Sequence, residues 1–220
     1  MKKGILITAF LLYCLSVWAQ TPRFKKDIDA FLSADSLQFP SKGQLLFVGS
    51  SSFTYWKDIQ DYFPGYPILN RGFGGSTLTD VIQYADKIIL PYQPKQIIIY
   101  CGENDIADSI PATPKMVRDR FKTLLKIIRT SLGNVPVAFI SIKPSPSRWK
   151  LEKQFLKTNR LIKRYLKKDA ATVYVDVHHA MLLPDGAVNG ELFITDNLHM
   201  NAKGYAIWQK IIEPILLNNK

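Results

Sequence analysis

The chain has 220 residues, of which 47% are hydrophobic and 21% charged, a composition that fits one folded domain and excludes a disordered tail protein. A chain of this size buries about 70% of its extended surface, so it builds a core without disulfides. The 29 basic against 18 acidic residues give a net charge of +11, which favours anionic partners or surfaces and says nothing about fold.

Lys2 and Lys3 precede an apolar run from Ile5 to Val17, and Val17-Trp18-Ala19 then offers small residues where a signal peptidase reads. The expectation is a signal peptide over residues 1–19, cleaved after Ala19, followed by a single domain over residues 20–220. The run is shorter than the roughly 20 residues that cross a bilayer, so no permanent membrane span is expected. Cys14 follows the bulky Tyr13, which argues against lipidation. Cleavage would leave 27 basic and 18 acidic residues, a net charge of +9, with Cys101 as the only thiol. No intrachain disulfide is then possible, and export without cystines suits a periplasmic or secreted bacterial protein. Nucleic acid is not an expected partner for such a protein. Cys101 closes an apolar run and reads as a small core residue.

The runs Leu45-Leu46-Phe47-Val48, Ile97 to Cys101, Val135 to Ile142 and Val173 to Val177 are almost continuously apolar, as in strands buried on both faces. Pro67-Ile68-Leu69 adds a fifth short strand. A Gly-rich turn follows it, then a helix beginning near Thr77, with Asp80 completing a partial capping box. Val117, Phe121, Leu124, Leu125, Ile128 and Leu132 share one helical face, and Thr113-Pro114 supplies the cap and first-turn proline. A further helix is predicted from Trp149 towards Lys167, and a last one from Ala202 to Leu217 with Asn201 as its cap. Strands alternating with helices imply right-handed crossovers and an α/β fold: a three-layer α/β/α sandwich around a mostly five-stranded parallel sheet, with ligands beyond the carboxyl ends of the strands.

Four polar clusters fall at such positions: Gly49-Ser50-Ser51-Ser52, Asn70 to Thr77, Gly102-Glu103-Asn104-Asp105 and Asp196-Asn197-Leu198-His199. They contain the parts of a serine hydrolase: a hydroxyl at a tight turn, an imidazole to take its proton, a carboxylate to orient the imidazole, and donors for an oxyanion. His199 reads as the base. Asp196, three residues earlier, can hold its ring without reaching across the fold.

Gly49-Ser50-Ser51, the turn at Gly75, Gly102-Glu103-Asn104-Asp105 and Asp196-x-x-His199 resemble, in order and spacing, the four blocks of the SGNH or GDSL-type esterases and acylhydrolases. The resemblance extends from Gln44 to the C-terminus. It implies a flavodoxin-like SGNH hydrolase fold, Ser51 as nucleophile, His199 as base and Asp196 behind it. It also implies an oxyanion hole made of the backbone N–H groups of Ser51 and Gly75 and the side-chain amide of Asn104. One departure stands out: the family's Asp-Ser-Leu is replaced by Ser50-Ser51-Ser52.

Other chemistries find less support. The glycines at 72, 74 and 75 lack the Gly-Lys-Ser/Thr ending of a phosphate loop. One mature Cys and the adjacent His178-His179 pair give no zinc spacing, so neither a metal nor another cofactor is expected, and the two histidines read as structural residues at the edge of the site. The segment 148–168 is strongly basic, normally a solvated helix face. The expected activity is ester hydrolysis through an acyl-enzyme, on small acetyl-like groups carried by a saccharide or similar alcohol, because the clusters leave little chain for a lid. The alternatives are lysophospholipid or thioester cleavage, or a non-catalytic protein that binds envelope polyanions through segment 148–168.

Overall fold

The computed structural model describes residues 22–218; the expected signal peptide and its cleavage point at Ala19 lie outside them. A five-stranded sheet has the order β2-β1-β3-β4-β5, with every neighbouring pair parallel. Its strands are β1 (Leu45–Gly49), β2 (Ile68–Gly72), β3 (Gln96–Tyr100), β4 (Val137–Ile140) and β5 (Thr172–Val175). The α-helices, in chain order, are α1 (Lys25–Leu37), α2 (Ser51–Thr54), α3 (Ile59–Tyr62), α4 (Leu78–Gln83), α5 (Ala85–Ile88), α6 (Glu103–Ala107), α7 (Pro114–Leu132), α8 (Glu152–Leu166) and α9 (Ala202–Ile212). The α/β class, the parallel sheet and the three layers are as the sequence implies.

Strand residues alternate between two cores. Leu46, Val48, Ile97, Ile99, Val137 and Phe139 pack with Ile28 of α1, Val81 of α4, Phe121 and Leu125 of α7 and Phe155 of α8. Leu45, Phe47, Ile98, Tyr100, Ala138 and Ile140 pack on the other face with Phe53 of α2, Ile59 of α3 and Trp208 and Ile212 of α9. Because both faces are covered, the central strands β1, β3 and β4 are buried throughout, which is why they read as continuous apolar runs. Cys101 belongs to the first core and is fully buried; burial pushes its thiol well above the ordinary range, so it is inert.

Local details refine three expectations. The strand expected over 135–142 is ladder-paired only at Val137–Ile140, because Ile142 turns away to exchange hydrogen bonds with the Asn159 side chain, at 2.8 and 2.9 Å. The helix expected from Trp149 is a 3-10 segment over Pro146–Leu151, and α8 starts at Glu152. The last helix ends as α at Ile212 and tightens into a 3-10 turn at Glu213–Ile215, where Pro214 can donate no backbone hydrogen bond. In α8 the basic residues Lys153, Lys157, Arg160, Lys163 and Arg164 are exposed while Phe155, Ile162 and Leu166 face the core. No helix among the described residues is long and apolar enough to cross a membrane.

Candidate active site

The carboxyl ends of β1, β2 and β3 carry the first three polar clusters. β1 ends at Gly49, whose φ is +147°. A Cβ there would fall 1.9 Å from the Tyr100 carbonyl oxygen, so only glycine lets the chain pass β3 and turn into α2. Ser50 N–H donates to that same carbonyl at 3.0 Å. Ser51 then occupies the first position of α2, and its flanking serines are buried at 3% and 2% exposure. That burial singles out Ser51 from the three hydroxyls in a row.

After β2, the loop Phe73–Thr77 folds against α2. A Cβ on Gly74 would lie 3.8 Å from that of Ser51, and Gly75 turns the loop at a φ of +83°. Phe73 N–H donates to Gly49 O at 3.0 Å, and Ser76 Oγ to the same oxygen at 3.1 Å. Thr77 and Asp80 form a full capping box for α4, stronger than the sequence suggested. After β3, the Asn104 carboxamide donates to Ser76 O at 3.0 Å, which joins the second and third clusters. Asp105 is structural: its carboxylate accepts from Leu78 N–H at 2.9 Å and pairs with Arg120 at 2.7 Å.

The fourth cluster lies in the loop before α9. Asp196 Oδ1 accepts from the N–H groups of Leu198 and His199, both at 2.9 Å. Asp196 Oδ2 lies 2.5 Å from His199 Nδ1, and His199 Nε2 lies 2.9 Å from Ser51 Oγ. Two distant parts of the chain, the start of α2 and the loop before α9, thus form one continuous relay of polar atoms. A carboxylate facing Nδ1 requires the proton there, so Nε2 is the acceptor of the serine hydroxyl. Burial works against the charge on Asp196, but the His199 N–H, the imidazole and the Leu198 N–H outweigh it and hold the carboxyl at about 2. Asp196 is therefore ionised at any pH where an imidazole works as a base.

Among the described residues no acceptor is bonded to the backbone N–H of Ser51 or of Gly75. The first amide of a helix has no partner within it, so the Ser51 N–H is a ready donor. Asn104 uses one amide proton on Ser76 and keeps a second.

Two features escaped the sequence reading. Tyr55 stacks on His199, with centroids 4.2 Å apart and planes 18° apart; its i+4 spacing from Ser51 places both on one side of the same short turn. A buried cluster adjoins Asn104: Glu103 accepts from the Tyr100 hydroxyl at 2.6 Å and from Lys143 Nζ at 3.2 Å, and Arg148 Nη1 lies 3.0 Å away. The signal for it was a lone lysine ending the apolar run Val137 to Ile142. His178 is buried against Ile142 O and Glu152, and His179 is exposed and paired with Asp176; neither belongs to the relay. The described residues contain no group of three or more His, Cys, Asp or Glu arranged to hold a metal.

Residues 47–207 match the GDSL-like Lipase/Acylhydrolase family, and the chain belongs to that family. Its fold is shared by several solved structures. A candidate platelet activating factor from Streptococcus pneumonia is 18% identical, with a TM-score of 0.77 over 87% of this chain and 92% of its own. A GDSL-like lipase from Bacteroides thetaiotaomicron is also 18% identical, at 0.72 over 86% and 96%. A variant of an acetyl-xylooligosaccharide esterase from Geobacillus Stearmophilus is 13% identical, at 0.64 over 80% and 94%. No curated protein matches the chain.

Proposed function

We propose that this protein is an exported serine esterase, acting outside the cytoplasm, that removes small acyl groups, acetyl foremost, from a saccharide or similar alcohol. The observation that carries the reading is the relay Asp196–His199–Ser51, with contacts of 2.5 and 2.9 Å. An unassisted serine alcohol is a weak nucleophile, and a positioned imidazole removes that obstacle.

In the proposed reaction His199 Nε2 takes the hydroxyl proton as Ser51 Oγ bonds to the ester carbonyl carbon. The carbonyl oxygen becomes an oxyanion, received by the N–H groups of Ser51 and Gly75 and the free amide proton of Asn104. His199 then returns its proton to the alkoxide as the C–O bond breaks, and the alcohol leaves. Water attacks the acyl-enzyme by the same route, releasing the carboxylic acid and restoring Ser51. Asp196 stabilises the imidazolium in both halves and stays ionised.

The preference for a small acyl group is supported by how open the site is. The Asp196 side chain is 42% exposed, His199 15% and Tyr55 51%, so one side of the relay opens to solvent. The acetyl-xylooligosaccharide esterase with the same fold points the same way. Hydrolysis of p-nitrophenyl acetate tests the reading. Ser51→Ala is expected to lower turnover at least about a thousandfold. Equal rates for both proteins would overturn it and favour a binding role for the basic segment.

A further inference from the structure

The proposed reaction makes no use of Arg148. Residues 144–148 run between two loops of the site. Ser147 N–H donates to Asn197 O at 3.0 Å, inside the loop that carries Asp196 and His199. Arg148 Nη1 lies 3.0 Å from Glu103 Oε1, one residue before Asn104. Arg148 therefore stands where the oxyanion cluster meets the histidine loop.

Its partner is unusually firm. The Glu103 side chain is 5% exposed and Lys143 1%, and Oε2 of Glu103 already receives the Tyr100 hydroxyl and Lys143 Nζ. Oppositely charged neighbours hold the Glu103 carboxyl below its usual range although burial pulls the other way. Arg148 is pinned at one nitrogen by this fixed anion while its side chain stays 22% exposed. Among the described residues its Nε and Nη2 have no partner.

A guanidinium offers donors in a rigid planar fork that matches a carboxylate with two parallel hydrogen bonds. Most arginine side chains lose rotamer freedom when they bind, but one already held at Nη1 loses less. The net charge of +9 expected after cleavage also draws anions towards the molecule.

Resting on the esterase reading above, we propose that Arg148 is a specificity-determining residue that binds a carboxylate on the alcohol portion of the substrate. The preferred ester is then an acylated sugar acid or comparable hydroxy acid, in place of a neutral saccharide. The carboxylate belongs to the alcohol portion because a small acyl group has no room for one.

The test compares kcat/KM for 3- and 4-acetoxybenzoate with that for the neutral 3- and 4-acetoxybenzamides, using the full protein and its Arg148→Gln, Arg148→Lys and Ser51→Ala variants. Arg148→Gln is expected to lower the anion-to-neutral ratio about tenfold to a hundredfold, mainly through KM of the anion, as loss of hydrogen bonds to a charged group requires. Arg148→Lys keeps a charge beside Glu103 but lacks the fork, so it should recover only part of the ratio and serves equally where the Gln variant does not fold. An unchanged ratio in both variants, or an equal fall for anion and amide, would overturn the proposal, the latter making Arg148 a mere support for Glu103. Failure of the unaltered protein to exceed Ser51→Ala on any of these esters would instead overturn the esterase reading itself.

Discussion

Tyr55 lies flat against the imidazole of His199, ring centroids 4.2 Å apart and planes inclined by 18°. The contact limits rotation of the ring that must meet Ser51 on one side and Asp196 on the other. It also places an aromatic face, electron-rich at its centre, against an imidazole that becomes cationic in the proposed reaction. A cation on an exposed aromatic face gains about 0.5–1 kcal/mol. Tyr55→Leu should therefore lower kcat/KM for p-nitrophenyl acetate about two- to fivefold, and Tyr55→Phe should leave it close to unaltered. Equal losses in both variants would assign the effect to the hydroxyl and not to the ring.

In the proposed reaction Asn104 acts only when charge appears on the carbonyl oxygen. Removing one donor of this kind costs about 2.7–4 kcal/mol of transition-state stabilisation. Asn104→Ala is expected to lower kcat about a hundred- to a thousandfold while KM changes little. A variant that raises KM at constant kcat would place Asn104 in ground-state binding.

Lys143 and Glu103 form a buried ion pair beneath the site. Desolvation pushes the Lys143 ammonium down and Glu103 supports it. Removing Glu103 strands the Lys143 charge, a loss of about 3–5 kcal/mol, whereas replacing both is far milder; Lys143→Met leaves Glu103 with Arg148 and the Tyr100 hydroxyl. Urea unfolding should show Glu103→Gln strongly destabilised and the Glu103→Gln/Lys143→Met double variant recovering much of the loss.

His178 is buried with Nε2 at 2.7 Å from Glu152 Oε1 and Nδ1 at 3.0 Å from Ile142 O. Burial lowers its affinity for the proton, but Glu152 and the carbonyl more than compensate, so its imidazolium is favoured beyond the ordinary 6.5. A group whose proton is held more tightly in the folded state stabilises that state fully below its unfolded pKa and loses the contribution as pH rises through the folded one. The melting-temperature advantage of the unaltered protein over Glu152→Gln should be largest near pH 6 and shrink as pH rises further. A gap that widens above pH 7 would contradict this.

The parallel sheet was readable because burial on both faces writes itself into Leu45–Val48 and Ile97–Cys101 as unbroken apolar runs. The relay was readable because its members sit in short polar clusters at strand ends. Helix α1 gave no such signal: of its residues only Ile28 and Asp35 are buried, and Asp35 is explained by distant partners, Arg71 and the Tyr92 hydroxyl. Contacts of that kind have no sequence period. Glu103, Lys143 and Arg148 escaped for the same reason, since three charges 40 and more residues apart in part become one cluster only when β3 and β4 lie side by side. Tyr55 was within reach through its spacing from Ser51, but an aromatic in a short turn reads equally well as core.

Among three consecutive serines, Ser51 is the one whose oxygen lies against His199 Nε2, and in the proposed reaction it alone is activated. A fluorophosphonate probe tests this directly: the activated oxygen bonds to phosphorus, fluoride leaves, and fragment-level mass spectrometry locates the adduct. The expected result is one adduct on Ser51, lost in Ser51→Ala and formed far more slowly in His199→Ala. An adduct on Ser50 or Ser52, or equal labelling rates with and without the imidazole, would contradict the account.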